Sequence, residues 1–504
     1  MKILVCLDLD SFDFEIFSIM NKKLKIVSVA SEVHPFSKSG GLADVARSLP
    51  KALKRLGHDV VVITPFYAQI INIKEYGLKP IYENVDLEID KENSVKINYW
   101  KGYLMEGLPI YFIESGQYFS KKKELYGSQH ENRRFYLFDL AALKLLTLLK
   151  FEADIIHCHD WHTGLIPELL QKQFKESSVL KNSKTIFTIH NLAFQLGHNW
   201  WEMPLEKKDD GRKALPKFSS PDIENINFAK RAILNADVIN AVSEQYAQEI
   251  LTPKFGQDLH RILENNKQKL FGIINGIDHF EYNPATDPGL AKNYSIDSFY
   301  FKKQNKEALQ KYFKLPVKPE IPLLAMASRI SEQKGFELLI KILETLLKRN
   351  LQLIIAGDGE KKYLNIISKL QKKYPKKLSL KPFEQKGETS IYAGSDLLLL
   401  PSRFEPCGLN QLYALRYGCI PVVHSIGGLA DTVEDFNPKT QQGNGFIFKI
   451  YHEYNLLIAV ARAIETFQYK EVWKKIINNG MKISSSWEIP AKKYVELYKK
   501  ALKK

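Results

Sequence analysis

Short apolar runs alternate with amphipathic stretches twice along this chain, once on each side of a proline-punctuated connector. In the first half the runs are Leu24–Ala30, Asp59–Pro65, Ala153–His157, Thr185–His190 and Asp237–Val242. In the second they are Leu323–Ser328, Leu351–Gly357, Leu397–Pro401 and Ile420–Val423. Strands without a polar face must be covered on both sides, and alternation with helices predicts a parallel sheet. Pro284, Pro288, Pro316, Pro319 and Pro322 punctuate the irregular region between the halves, so two doubly wound α/β domains with a cleft between them are expected. Residues 81–113 alternate more like antiparallel or edge strands, and 198–226 read as a long polar loop.

The expected divisions are an appendage over 1–20, a first domain over 21–272, a second over 273–485, and a C-terminal helix over 486–504 that packs back on the first domain. Asp8, Asp10, Asp13 and Glu15 interrupt the apolar run of the appendage, so it is not a secretory signal. It also carries Asp8-Leu9-Asp10, a D-x-D pattern, and Met20 is a plausible initiator. No stretch offers about 18 uninterrupted apolar residues, so no membrane helix is expected. Four cysteines in 504 residues make no disulfide framework and fit a reducing, cytoplasmic setting. A net charge of +15 favours anionic partners. Its lysine tracts are short and scattered, which favours a solvated face over a nucleic-acid groove.

The informative polar residues cluster just after strands, where open α/β sheets bind ligands. Lys38-Ser39-Gly40-Gly41-Leu42-Ala43-Asp44-Val45 turns from a strand into a helix whose stripe is Leu42, Val45, Ala46, Leu49, Leu53 and Leu56. Free amides at a helix start attract anions, glycine permits close approach, and lysine adds charge; an ordinary βα loop with a solvated lysine is the alternative. Pro50 inside that helix predicts a kink or a restart. Arg329 and Lys334 flank another such turn and suit a diphosphate. Pro401-Ser402-Arg403-Phe404-Glu405-Pro406-Cys407-Gly408-Leu409 and Gly427-Gly428 follow two further strands, and Glu405 suits sugar or ribose hydroxyls. His157-Cys158-His159-Asp160-Trp161-His162 permits zinc by its H-x-H spacing. It reads better as a strand end where Asp160 supplies a carboxylate and Trp161 a stacking face, with His190-Asn191 similar.

In order, Lys38–Val45, His159-Asp160-Trp161-His162, His190-Asn191-Leu192-Ala193, Asn275-Gly276-Ile277-Asp278, Ser328-Arg329 with Gln333-Lys334-Gly335, Pro401–Leu409 and Gly427–Asp431 resemble the bacterial glycogen synthase and plant starch synthase family. The resemblance implies retaining glucosyltransferases of the GT-B fold: two Rossmann-like domains facing across a cleft, the first on the acceptor side and the second binding the nucleotide-sugar. It implies glucose transfer from ADP-glucose to the non-reducing-end 4-hydroxyl of an α-1,4-glucan, with neither metal nor further cofactor and with no nucleic-acid or membrane partner. By the same resemblance His190, Asp160, Arg329, Lys334 and Glu405 are catalytic. Lys38, Gly40, Gly41, Asn275, Phe383, Cys407, Gly408, Leu409, Gly427 and Gly428 bind the nucleotide-sugar, while Glu32, Asp44 and Trp161 lie toward the acceptor. Ser39 and Ile426 stand where the family usually has Thr, and Phe383 where it often has Tyr. A UDP-glucose-using transferase of the same fold and a non-catalytic glucan-binding protein are the alternatives.

Overall fold

The computed structural model describes residues 23–121, 124–382, 384 and 387–504, so the 1–20 appendage with its D-x-D pattern, and Phe383, lie outside the described residues. The chain divides into two compact units. The first comprises the residues up to Ala241 together with Ile250–Ile273 and Pro490–Lys504; the second comprises Val242–Glu249 and Ile274–Ile489.

The first unit is built on nine strands: β1 Lys25–Val29, β2 Asp59–Pro65, β3 Lys79–Asp90, β4 Asn93–Met105, β5 Leu108–Glu114, β6 Ile155–His159, β7 Lys184–Ile189, β8 Val238–Ala241 and β9 Leu270–Gly272. Their order is β3-β4-β5-β2-β1-β6-β7-β8-β9. β1 pairs in parallel with both β2 (Ile26 opposite Val60) and β6 (Ile26 opposite Ile155), so the strand order reverses between β1 and β6. β4 is antiparallel to β3 and to β5, whereas β5 is parallel to β2. The expected edge strands of 81–113 are thus a hairpin extension whose last member joins the parallel sheet. β2 is buried from Val60 onward, as a run of Val and Ile without a polar face requires. β3 keeps charged, exposed residues on its outer edge, which discourages further strand pairing.

Leu42, Val45, Ala46, Leu49 and Leu53 are buried along the helix Gly41–Arg55, which runs through Pro50 without restarting, whereas Leu56 of the expected stripe caps its end and is exposed. Proline removes one intrahelical donor. Here the ring is itself buried on the core-facing side, so packing holds the helix together across the missing bond. Gly57, at φ +93°, ends it. Within 198–226 the chain is irregular with short 3-10 turns, and Leu196, Trp200 and Met203 form a small apolar cluster of their own.

The second unit has six strands, β10 Leu323–Ala327, β11 Gln352–Ala356, β12 Leu378–Lys381, β13 Leu397–Leu400, β14 Ile420–His424 and β15 Phe446–Phe448. All are parallel, in the order β12-β11-β10-β13-β14-β15, so this sheet reverses between β10 and β13. Buried residues of all six strands and of the helices covering them make one continuous core. The point of reversal in such a sheet leaves a crevice at the carboxyl ends of the flanking strands, which fixes where each unit can hold a ligand.

Candidate functional site

In the first unit the chain leaving β1 carries Ser31 and Glu32, the chain leaving β6 carries Asp160, and the chain leaving β7 carries His190. Glu32 is 2% exposed and accepts the backbone N–H of Ser39. Burial outweighs that bond and pushes its carboxyl up to about 7. Asp160 sits in the left-handed region at φ +63°, unusual for a residue with a side chain. Its buried carboxyl is pushed up to about 8, chiefly by desolvation, against backbone N–H bonds from Trp161, Asn191 and His190. The charge of Glu32 adds to the rise. Two carboxyls at one crevice therefore hold protons near neutrality, an arrangement suited to general acid–base work on a hydroxyl.

Tyr126, which carries no motif, belongs to the same place. Its hydroxyl is 2.7 Å from Ser31 Oγ and its ring stacks on His162 at 4.7 Å. Burial and the neighbouring Glu32 push its phenol well above the usual range. Only its position in a polar, glycine-flanked loop could have marked it in the sequence.

Behind Asp160, His157 and His159 stack at 4.0 Å between ring centroids, with planes 29° apart. His157 engages Tyr498 Oη at 2.9 Å through Nδ1 and Thr188 Oγ1 at 2.6 Å through Nε2. Both its nitrogens are occupied, which removes it as a zinc ligand. Among the described residues no group of three His, Cys, Asp or Glu is disposed around a metal position. His159 Nδ1 lies 3.1 Å from His190 Nε2. Desolvation pulls His157 and His190 down to about 3 and His159 well below its usual value, so all three rings are neutral.

Three expectations for this unit change. Lys38 is not a solvated lysine: its Nζ is 2.8 Å from Asp44 Oδ1, in the first turn of the helix Gly41–Arg55. Asp44 is thereby a partner for lysine rather than an open acceptor-side carboxylate. Trp161 is 4% exposed, its ring edge-on to Phe135 at 5.3 Å and 4.2 Å from His162, which leaves it no open stacking face. Gly40 and Gly41 stand at the start of that helix. Both are exposed, and Gly40 caps the helix without any side-chain acceptor, so first-turn amides remain for an anion.

In the second unit the turns after β10, β13 and β14 interlock. Lys334 Nζ lies 2.6 Å from Glu405 Oε2, and Ser402 Oγ, missed in the sequence, donates to the same oxygen at 3.0 Å. Arg329 is exposed and donates to Gln333 Oε1 at 3.3 Å. Gly335, at φ +77°, touches the Pro401 carbonyl so closely that a Cβ there would stand 1.9 Å from it. Asn410, also unremarked in the sequence, donates to Ala327 O at 2.8 Å and ties the turn after β13 to the end of β10. Gln411 binds the carbonyls of Cys407 and Gly408 at 3.1 and 2.9 Å, holding Gly408 in its left-handed turn. Leu409 is half-buried at the start of the helix Asn410–Arg416. Asn275 is buried beside Cys407, whose thiol burial pushes up to about 12, and Asn275 Oδ1 has no protein partner among the described residues.

The Gly427-Gly428 amides are not waiting open. Gly427 N–H donates to Glu249 Oε1 at 3.0 Å, and Gly428 N–H is shared between the carbonyls of Glu405 and Pro406 at 3.2 Å. Glu249 belongs to the short segment Val242–Glu249, where Gln245 N–H also meets the Asp431 carboxylate at 3.1 Å. Sequence offered no sign of this contact, which joins residues 178 apart.

Against known proteins, residues 25–265 match the family model described as starch synthase catalytic domain, and 308–482 match glycosyl transferases group 1. A curated glycogen synthase of Geotalea daltonii is 42% identical over 490 residues, covering 95% of this chain and 99% of its own. That of Clostridium perfringens is 39% identical over 491 residues, covering 96% and 99%. The solved catalytic domain of starch synthase IV from Arabidopsis thaliana, bound to ADP and acarbose, is 33% identical with a TM-score of 0.85 and covers 96% of this chain and 100% of that one. Sucrose-phosphate synthase from Thermosynechococcus elongatus, at 15% identity and a TM-score of 0.61, shares the fold.

Proposed function

The chain belongs to the glycogen synthase and starch synthase family and is a glycosyltransferase that extends a glucan, and on that premise we propose that its donor is ADP-glucose and its acceptor the non-reducing-end 4-hydroxyl of an α-1,4-glucan. The observation that carries the reading is the cation and carboxylate cluster at the carboxyl ends of β10 and β13: Arg329, Lys334 and Glu405. Breaking a glycosyl–diphosphate bond leaves an anion on the nucleotide and an oxocarbenium-like centre on the sugar, and fixed charges aimed at both lower the barrier. Arg329 and Lys334 neutralise the departing diphosphate without a metal. Glu405, held by Lys334 and Ser402, accepts hydroxyls of the transferred glucose, with the turn Cys407-Gly408-Leu409 beside it.

In the first unit His190 lines the sugar position and Asp160 and Glu32 serve the acceptor hydroxyl. Lys38 reaches the donor by exchanging Asp44 for a phosphate oxygen. Among the described residues no helix is long and apolar enough to cross a membrane, which accords with a proposed cytoplasmic setting.

Glucose incorporation into glycogen from labelled ADP-glucose and UDP-glucose tests the reading, with wild type beside Arg329→Ala and Lys334→Ala. Each substitution is expected to lower kcat/KM for ADP-glucose by about 100-fold or more, as loss of one preorganised charge does. A clear preference for UDP-glucose overturns the donor assignment, and equal rates in all three proteins overturn the roles of Arg329 and Lys334.

A further inference from the structure

We infer that His159, braced from behind by His157 and Tyr498, is a positioning residue that fixes the tautomer and ring plane of His190. The inference deepens the reading of His190 as the residue lining the sugar, and rests on it.

Strand geometry assembles the group. Residues two apart on a strand point to one face, so His157 and His159 share a face of β6, and Thr188 stands beside them on β7 with His190 just beyond its end. The helix Glu488–Leu502 brings Tyr498 to His157, and Tyr494 Oη to Asn240 Nδ2 at 2.9 Å. Asn240 in turn lies 3.3 Å from Thr188 Oγ1. The result is a buried polar seam along one face of the sheet, with His190 at its outer end.

The seam decides where protons sit. A neutral imidazole has one N–H donor and one bare acceptor nitrogen. His159 is fully buried, and its Nε2 has no protein partner among the described residues. A proton on Nε2 would be a buried orphaned donor, whereas a proton on Nδ1 leaves only an unused lone pair. The first is much the rarer and costlier condition. His159 therefore donates from Nδ1 to His190 Nε2, and His190 carries its own proton on Nδ1. Turning the His190 ring over would break this bond and orphan the His159 donor. His159 cannot turn to follow, because His157 lies stacked on it and is itself held at both nitrogens.

Two measurements test this. The first is a long-range proton–nitrogen correlation spectrum of the full-length protein labelled with 15N-histidine, assigned with His159→Asn and His190→Gln. It is expected to show His159 and His190 each protonated at Nδ1. A proton on Nε2 of His190 overturns the inference.

The second is kinetic and compares His159→Leu, which removes the donor, with His159→Asn, whose amide nitrogen falls where Nδ1 was. His159→Leu is expected to lower kcat by about 10- to 100-fold, the usual effect of losing a partner that orients an active-site imidazole. Substrate KM values should stay within about threefold, since the loss falls on the transition state. His159→Asn should recover most of kcat. Equal kcat in the two variants means that His159 serves packing alone. Should His159→Leu fail to fold, the spectrum of the unsubstituted protein decides by itself. Should the wild type transfer no glucose from either nucleotide-sugar, the functional reading falls while the spectrum still judges the tautomer.

Discussion

Replacing Gly335 by alanine should damage the second unit and its chemistry together. The residue sits at φ +77°, ψ +19°, where a Cβ costs about 1–2 kcal/mol. That Cβ would also meet Pro401 O at 1.9 Å, Pro401 C at 2.6 Å and Pro401 Cγ at 2.9 Å. Relief requires the backbone to move by about an ångström at a proline one residue beyond β13, and overpacking of this kind costs about 1–3 kcal/mol. The two contributions together predict a loss of about 2–5 kcal/mol, or roughly 5–15 °C in the melting of this unit. Gly57→Ala provides the control. Gly57 has φ +93° but nothing within 4 Å of its built Cβ, so it bears the dihedral cost of about 1–2 kcal/mol alone. Calorimetry on both variants isolates the steric share as their difference. Lys334 immediately precedes Gly335, so the displaced turn should also break the 2.6 Å contact with Glu405 and lower kcat/KM. A Gly335→Ala protein that melts no lower than Gly57→Ala and retains full kcat/KM would refute the reasoning.

Two further predictions concern buried charge. Glu32 and Asp160 bind protons more tightly folded, at about 7 and 8, than at their ordinary 4.5 and 3.8. Their contribution to stability is thus complete at low pH and is lost as pH rises through 7 and 8. His157 and His190, lowered from 6.5 to about 3, act oppositely: their contribution is present above pH 6.5 and is lost as pH falls toward 3. Between pH 4.5 and 6.5 the two sets oppose one another, so melting temperature should hold level there and fall as pH rises from 6.5 to 8, and the double variant Glu32→Gln, Asp160→Asn should flatten that fall; superimposable curves would sink the assignment. Arg231, with no exposed side-chain surface, bonds Asp209 through two nitrogens at 2.9 Å each and also reaches Glu168 at 2.9 Å. Arg231→Met would leave the buried Asp209 carboxylate without its cation, Glu168 keeping Lys172 at 2.6 Å, and is expected to cost about 3–5 kcal/mol in denaturant unfolding. A loss under about 1 kcal/mol would refute that, since it would match an exposed pair.

Local signals carried most of what could be read from the sequence. Runs such as Asp59–Pro65 announce a covered parallel strand by composition alone, and each candidate turn follows its strand directly, which puts Lys334, Gly335 and Glu405 just beyond strand ends. What escaped depends on distant partners. Trp161 looks like an exposed aromatic at a strand end, and only Phe135 and Phe228, from other elements, enclose it. Lys38 looks free until the helix start turns Asp44 toward it. Tyr126 and Glu249 have no motif, because their contacts join stretches far apart in the chain. The same holds for the division of the chain: the expected boundary at 272/273 falls beside Ile273, but the early excursion of Val242–Glu249 has no compositional mark.

That division bears on how the molecule is made. Synthesis runs from the N-terminal side and domains generally fold as they emerge, N-terminal first. Here the first unit is not finished when its sheet has emerged. The side chains that meet His157 and Asn240, Tyr498 and Tyr494, are translated only after the whole of Ile274–Ile489. Until they are made, the polar seam of the first unit lacks the two hydroxyls that meet it. A helix translated after the whole of its neighbour closes the domain that began first.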